Sequence, residues 1–271
     1  MSDIYNLGIY VARLASDGGD SIRVNMIVLV ALGVACAVIG YLLGGINTSI
    51  IVSRAFYHDD IRKYGSHNAG MTNAMRTYGK KAAALTLGGD LLKTVIAVML
   101  SRLLLGEPGA YIGGFFTVVG HVFPCFFGFK GGKGVVAVAA MILCTNPLCF
   151  LILFAIFAVL VLGYKYISLG SVMCMLLYPL LANRLGVHGV VQTSCIFLTS
   201  FLIIIKHFDN IKRLLNGTES KFSFKKSKPA TEASVTAGGT GDAGAADDTG
   251  AETTAPNVKK DKTNGGKKSK K

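Results

Sequence analysis

Three polar clusters interrupt a largely apolar chain, and each carries side chains suited to an anion. The first runs from Asp60 to Arg76 and contains Ser66, Asn68, Thr72, Asn73 and Arg76 around Gly65 and Gly70. The glycines permit tight turns, and Thr72 or Asn73 is placed to cap a following helix. A helix start beside an arginine suits a phosphate or an acyl oxyanion. The second cluster, Gly128-Phe129-Lys130-Gly131-Gly132-Lys133-Gly134, packs four glycines and two lysines into one turn. Backbone amides at Gly131 and Gly132 are expected to approach an anion, with Lys130 and Lys133 supplying charge. It is not a Walker A loop, because Gly134 follows Lys133 where Ser or Thr would be needed, and Phe127 occupies the first glycine position. The third, Lys206 to Glu219, sets His207, Asn210 and Arg213 at successive helical spacings of three, on one face. Each cluster alone is compatible with an ordinary polar turn or helix end; three together on one side of the chain's map are not.

Two further observations limit the chemistry. None of the five histidines has an aspartate five residues on: Lys63, Thr72, Phe126, Thr193 and Lys212 stand there. A histidine base oriented by a nearby aspartate, as in acyl-CoA-type acyltransferases, is therefore absent from this chain. The six cysteines show no metal spacing, so no metal and no organic cofactor is expected. Asp90 and Lys93 lie inside an apolar segment at i, i+3. Each costs roughly 2.5–3.5 kcal/mol near a membrane helix centre, so they are expected to form a neutralising structural ion pair that organises the site.

The elements that must position these residues follow from composition. The chain has 271 residues, 51% of them hydrophobic and 16% charged, with a mean hydropathy of +0.50. Too little charge is available to cover a soluble domain of this size. An all-α polytopic membrane protein is expected, with about seven transmembrane helices near 25–53, 82–105, 109–127, 134–146, 147–164, 168–184 and 188–206. The net charge of +13 has no basic stripe with interleaved aromatics, which argues against nucleic acid and for lipid headgroups and phosphorylated substrates.

Basic residues set the orientation. Arg54, Arg62, Lys63, Arg76, Lys80, Lys81, Lys130, Lys133, Lys165, Lys206, Lys212 and Arg213 fall on one side, against Arg102 and Arg184 on the other. The positive-inside rule then puts the N-terminus outside, and the C-terminus and all three clusters in the cytoplasm. Three regions are expected: a short extracytoplasmic segment 1–24, an integral membrane domain 25–219, and a disordered basic cytoplasmic tail 220–271. Residues 230–258 lack the apolar side chains needed to offset ordering entropy.

At these residues the chain resembles the PlsY family of bacterial acyl-phosphate-dependent glycerol-3-phosphate acyltransferases, from about Gly40 to Glu219. Residues 65–76 are similar to its G-S-x-N-x-G-x-T-N-x-x-R loop, followed by Gly79-Lys80-Lys81 and the Asp90-x-x-Lys93 pair. Residues 120–135 are similar to its G-H-x-x-P…F-K-G-G-K-G-V segment, and 207–219 to H-x-x-N-I-x-R-L-x-x-G-x-E. The departures are Asn47 at the family's proline, which is expected to soften a helix break, His67 at a glycine, Met71 at an alanine, and Val136-Ala137 in place of Ala-Thr.

The resemblance implies transfer of a fatty acyl group from acyl phosphate to the 1-hydroxyl of sn-glycerol 3-phosphate, giving lysophosphatidic acid and phosphate. It implies Ser66, Arg76, Lys133 and His207 as catalytic residues. Asn68, Thr72, Asn73, Lys130, Gly131, Gly132 and Asn210 are implied in substrate binding. It further implies the bacterial inner membrane as location, membrane lipids as surroundings, and an upstream acyl-phosphate synthase (PlsX) as partner. The alternative is a membrane transporter of phosphate or a phosphorylated small molecule, whose clusters would lie near the midplane.

Overall fold

The computed structural model describes residues 20–222, so most of the expected segment 1–24 and of the expected tail 220–271 lies outside the described residues. All regular elements among them are helical. They are α1 (Asp20–Gly45), α2 (Thr48–Tyr57), a 3-10 turn (Ile61–Lys63), α3 (Met71–Tyr78), α4 (Lys80–Val122), a second 3-10 turn (Cys125–Phe127), α5 (Val135–Thr145), α6 (Pro147–Tyr164), α7 (Ile167–Arg184), α8 (Val190–Lys206) and α9 (Phe208–Leu215).

A straight helix of α4's 43 residues would run about 65 Å, twice the hydrocarbon thickness of a bilayer. It does not run straight. Leu105 and Gly106 leave helical geometry, Gly106 with φ of 61°, and Pro108 follows. Lys93 Nζ and His121 Nδ1, 28 residues apart, come within 3.0 Å. The element is a hairpin with arms 80–104 and 107–122, in agreement with separate segments expected at 82–105 and 109–127. The second arm stops at Val122, because Pro124 cannot continue the helix.

The first helix packs into this hairpin through glycine. A Cβ on Gly40 would collide with the Gly113 backbone, and one on Gly44 with Thr117. Lipid tails are as apolar as leucine, so helices associate in a membrane through close packing, which small residues permit. The larger core joins Val98, Val118, Met141, Leu153, Tyr178 and Ile196 across five helices. Leu151, Leu162, Phe197 and Phe201 are exposed on the outer surface, an arrangement suited to lipid and not to water.

Among the described residues, four stretches are long and apolar enough to cross a membrane: Met26–Tyr57, Lys80–Phe127, Pro147–Tyr164 and Ile167–Arg184. Val190–Lys206 and Phe208–Leu215, bent by 54° to one another, pass the same test only when taken together. The expected span 134–146 corresponds to the short apolar helix α5. Helix α5 has 11 residues, about 16 Å, which is half of what a crossing requires. Gly134 bounds it on one side; on the other, Asn146 caps α6 by accepting from the Cys149 amide at 3.0 Å.

The expected softening of the break near Asn47 is corrected. Helix α1 ends at Gly45, and the fully buried Asn47 caps α2 by accepting from the Ile50 amide at 3.1 Å. A short polar side chain thus stops one helix and starts the next, as a proline would.

Candidate active site

The loop from Asp60 to Gly70 is organised from within. Asn73, fully buried on α3, donates through Nδ2 to the carbonyls of Ile61 (3.2 Å) and Tyr64 (2.9 Å). Its Oδ1 accepts from the Ser66 amide at 3.1 Å. Expected to bind substrate, Asn73 instead has both ends of its amide committed to the loop. Nor does it cap the helix: Gly70 is the cap, without a side-chain bond, and Thr72 lies half-buried in the first turn. The Ser66 side chain is exposed, and Asn68 is half-buried beside it.

Arg62 joins the first loop to the second. Its Nη1 donates to the carbonyls of Phe127 (2.7 Å) and Lys130 (3.0 Å), while Asp60 holds the rest of the guanidinium at 2.7 Å. Asn47 Nδ2 reaches the Ala69 carbonyl at 3.4 Å, which fixes the same loop to the break after α1. His67 has φ of 57° where glycine would be unstrained, and its Nδ1 donates to the Arg62 carbonyl at 3.0 Å.

The glycine-rich loop differs from its expected role. The amides of Gly131 and Gly132 do not face an anion, since they donate to the carbonyls of Val122 (3.2 Å) and His121 (3.1 Å). These bonds fold the loop back on the end of α4, where a Cβ on Gly132 would strike His121 Nε2 and the Ala69 carbonyl. The glycines therefore permit close approach of backbone to backbone. Lys130 is exposed. Lys133 turns inward and donates to Asn210 Oδ1. Burial pushes its ammonium down to about 8, with Glu219 raising it and Arg213 lowering it.

The third cluster closes around that lysine. Asn210 Nδ2 donates to Glu219 Oε1 at 2.6 Å, Ser168 Oγ donates to the same oxygen at 2.7 Å, and Arg213 Nε donates to Oε2 at 2.7 Å. His207 is buried, and its Nδ1 bonds the Ile203 carbonyl at 2.8 Å. A carbonyl can only accept, so Nδ1 carries the proton and the neutral ring keeps a lone pair on Nε2. Arg76, in the last turn of α3, reaches the Ser220 carbonyl at 3.5 Å. All three clusters are thereby linked at one end of the bundle.

Behind them lies the expected ion pair. Lys93 Nζ is 2.9 Å from Asp90 Oδ1 and also donates to the carbonyls of Gly44 (3.0 Å) and Ile46 (2.8 Å), with His121 Nδ1 at 3.0 Å. Arg62, His121 and Glu219 fell within the sequence motifs without an assigned role, and Ser168 was missed altogether. Glu219 was legible as part of a motif, but a lone serine or histidine at a helix end carries no signal of its partners.

Together these features define a multi-pass membrane protein, all-helical in its described residues, whose three polar clusters gather where its helices end. The profile described as glycerol-3-phosphate acyltransferase matches residues 34–217. Glycerol-3-phosphate acyltransferase of Thermoanaerobacter sp. (strain X514) is 42% identical over 192 residues, covering 71% of this chain and 96% of the relative. That of Clostridioides difficile (strain 630) is 42% identical over 200 residues, covering 70% and 95%. The crystal structure of PlsY (YgiH), an integral membrane glycerol 3-phosphate acyltransferase, is similar in its glycerol 3-phosphate form. The TM-score is 0.67 at 32% identity, with 70% of this chain and 96% of that chain covered. The lysophosphatidic acid form gives 0.64 at 30% identity, covering 71% and 96%. The chain belongs to the glycerol-3-phosphate acyltransferase (PlsY) family.

Proposed function

We propose that the protein transfers a fatty acyl group from acyl phosphate to the 1-hydroxyl of sn-glycerol 3-phosphate, releasing lysophosphatidic acid and inorganic phosphate. The observation that carries this reading is the inward-turned Lys133, oriented by Asn210 at the junction of three anion-binding clusters. Both substrates are phosphates, and the acyl chain of the donor is oily, which matches a polar site at the end of a lipid-embedded bundle. Phosphate is a good leaving group, so the step needs no acyl-enzyme. The hydroxyl oxygen attacks the acyl carbonyl, the carbonyl–phosphate bond breaks, and the hydroxyl proton leaves to His207 Nε2 or to a phosphate oxygen.

In this scheme Ser66, Asn68 and Arg76 hold phosphate or the developing oxyanion, together with Lys133. Solvating a charge that grows in the transition state is the largest contribution such donors make. The basic residues around the clusters support a cytoplasmic site in the bacterial cell membrane. The reading makes residues beyond 222 dispensable, so truncation after residue 222 should leave activity intact.

The test is direct. Purified protein is incubated with acyl phosphate and labelled glycerol 3-phosphate, and the lipid product is extracted. Lysophosphatidic acid should form in chelator and without acyl-CoA. Comparable turnover with acyl-CoA would overturn the donor assignment. Uptake of labelled glycerol phosphate into protein-loaded vesicles, without acylation, would return the transporter reading.

A further inference from the structure

Ser168 stands outside every cluster that sequence reasoning singled out. It lies in the first turn of α7, buried, 51 residues before the carboxylate to which it donates. That carboxylate, Glu219, receives three side-chain donors: Ser168 and Asn210 on one oxygen, Arg213 on the other. The Asn210 amide has two distinct ends. Since a carboxylate can only accept, it must take the Asn210 NH2 group, which leaves the amide oxygen facing Lys133.

The backbone supports the same arrangement. The amides of Thr218 and Glu219 donate to the Arg213 carbonyl at 2.8 and 3.2 Å, and the Phe222 amide donates to the Lys165 carbonyl at 2.6 Å. The segment 218–222 is therefore tied to α9 at one end and to the turn between α6 and α7 at the other, with Glu219 between. Lys133 can only donate and Glu219 can only accept, so the two together fix the Asn210 amide from its two ends.

We infer that Ser168 and Glu219 are positioning residues for the acyl transfer: they hold the Asn210 amide so that its oxygen receives the Lys133 ammonium, which sets where substrate phosphate binds. The inference rests on the proposed function for the identity of the phosphate. It assigns to a helix outside the three clusters a share in their geometry. Glu219 is suited to the task because its donors outweigh the burial that opposes its charge, so its carboxyl sits below the ordinary value.

Ser168→Ala removes one donor to a charged acceptor and leaves the fold's packing nearly intact. Its KM for glycerol 3-phosphate should rise about 5- to 30-fold, with the KM for acyl phosphate and the melting temperature unchanged. Combined with Asn210→Ala, the Ser168 substitution should have no further effect, because it acts through that amide. An unchanged glycerol 3-phosphate KM in Ser168→Ala, or its full loss persisting in the double variant, would overturn the inference. A second readout needs no substrate. The groups facing Lys133 are Glu219, Arg213, Asp209, Lys206 and His207. Glu219→Gln removes the nearest negative charge, so the pH midpoint for labelling the Lys133 amine should move down; an unmoved midpoint argues for packing alone. Absence of glycerol 3-phosphate turnover in the unsubstituted protein would instead defeat the acyl-transfer reading, and the labelling experiment would still decide the positioning role.

Discussion

Lys93 Nζ lies 2.8 Å from the carbonyl oxygen of Ile46, the residue at which the first membrane helix breaks. One buried ammonium thus satisfies the end of α1, where carbonyls lack partners, while Asp90 neutralises it from the next turn of its own helix. The break it stabilises is where Asn47 turns the chain toward the Ala69 loop. The buried pair is therefore part of the scaffold of the site.

Removing the ammonium should be costly. Lys93→Met deprives Asp90 of its lysine partner, leaving only His121 Nδ1 at 3.5 Å, and removes the donor to two carbonyls; breaking a buried pair typically costs about 3–5 kcal/mol. A large drop in melting temperature in detergent, with loss of a monodisperse peak, is expected. Adding Asp90→Asn should recover part of that loss, because the orphaned charge is gone. A Lys93→Met protein as stable as the parent would contradict the scaffold role.

The anion donors should behave differently. Lys133→Ala and Arg76→Ala should each lower turnover about 10²- to 10³-fold, the usual effect of deleting one preorganised donor. Melting temperatures should stay within a few degrees, since among the described residues Arg76 makes a single long hydrogen bond, to Ser220, from the last turn of its helix. Near-parental rates in either variant would make that residue an ordinary solvated cation.

Lys133 also predicts a pH dependence. Its ammonium is held down to about 8 by burial, so the charged form predominates at neutral pH and is lost as pH rises through that value. The kcat/KM for glycerol 3-phosphate should be flat near neutrality and fall above about pH 8, tracking the free enzyme. Lys133→Arg stays charged and should lose this limb, even if its overall rate is lower. A profile unchanged by that substitution would assign the limb to another group.

His207 is expected to position substrate. Its Nδ1 is tied to Ile203, its ring is buried, and Nε2 alone remains to meet a ligand. Glutamine can still hydrogen-bond but cannot take up a proton at neutral pH. His207→Gln should therefore keep substantial turnover and show mainly a raised KM for glycerol 3-phosphate. A collapse of about 10²- to 10⁴-fold with unchanged affinity would instead make His207 the general base.

How much of this was legible before folding depends on the range of the interaction. Hydropathy and the scarcity of charge were enough for an all-helical membrane protein, because the bilayer demands long apolar helices whatever their neighbours. Local spacing was enough to mark three clusters and the Asp90–Lys93 pair, whose members lie within one helical turn. The ordered motifs carried the family.

What tertiary structure alone decided is which partner each polar group takes. The glycine-rich loop looked like a cradle of free amides, yet the Gly131 and Gly132 amides are paired with α4 carbonyls, whose proximity no spacing predicts. Asn73 looked like a ligand and proved to be the centre of its own loop. Ser168 and Glu219 meet across 51 residues only because α7 and the segment after α9 are brought together. Buried polar groups must find partners, and in a bundle those partners come from whichever helix end lies nearest.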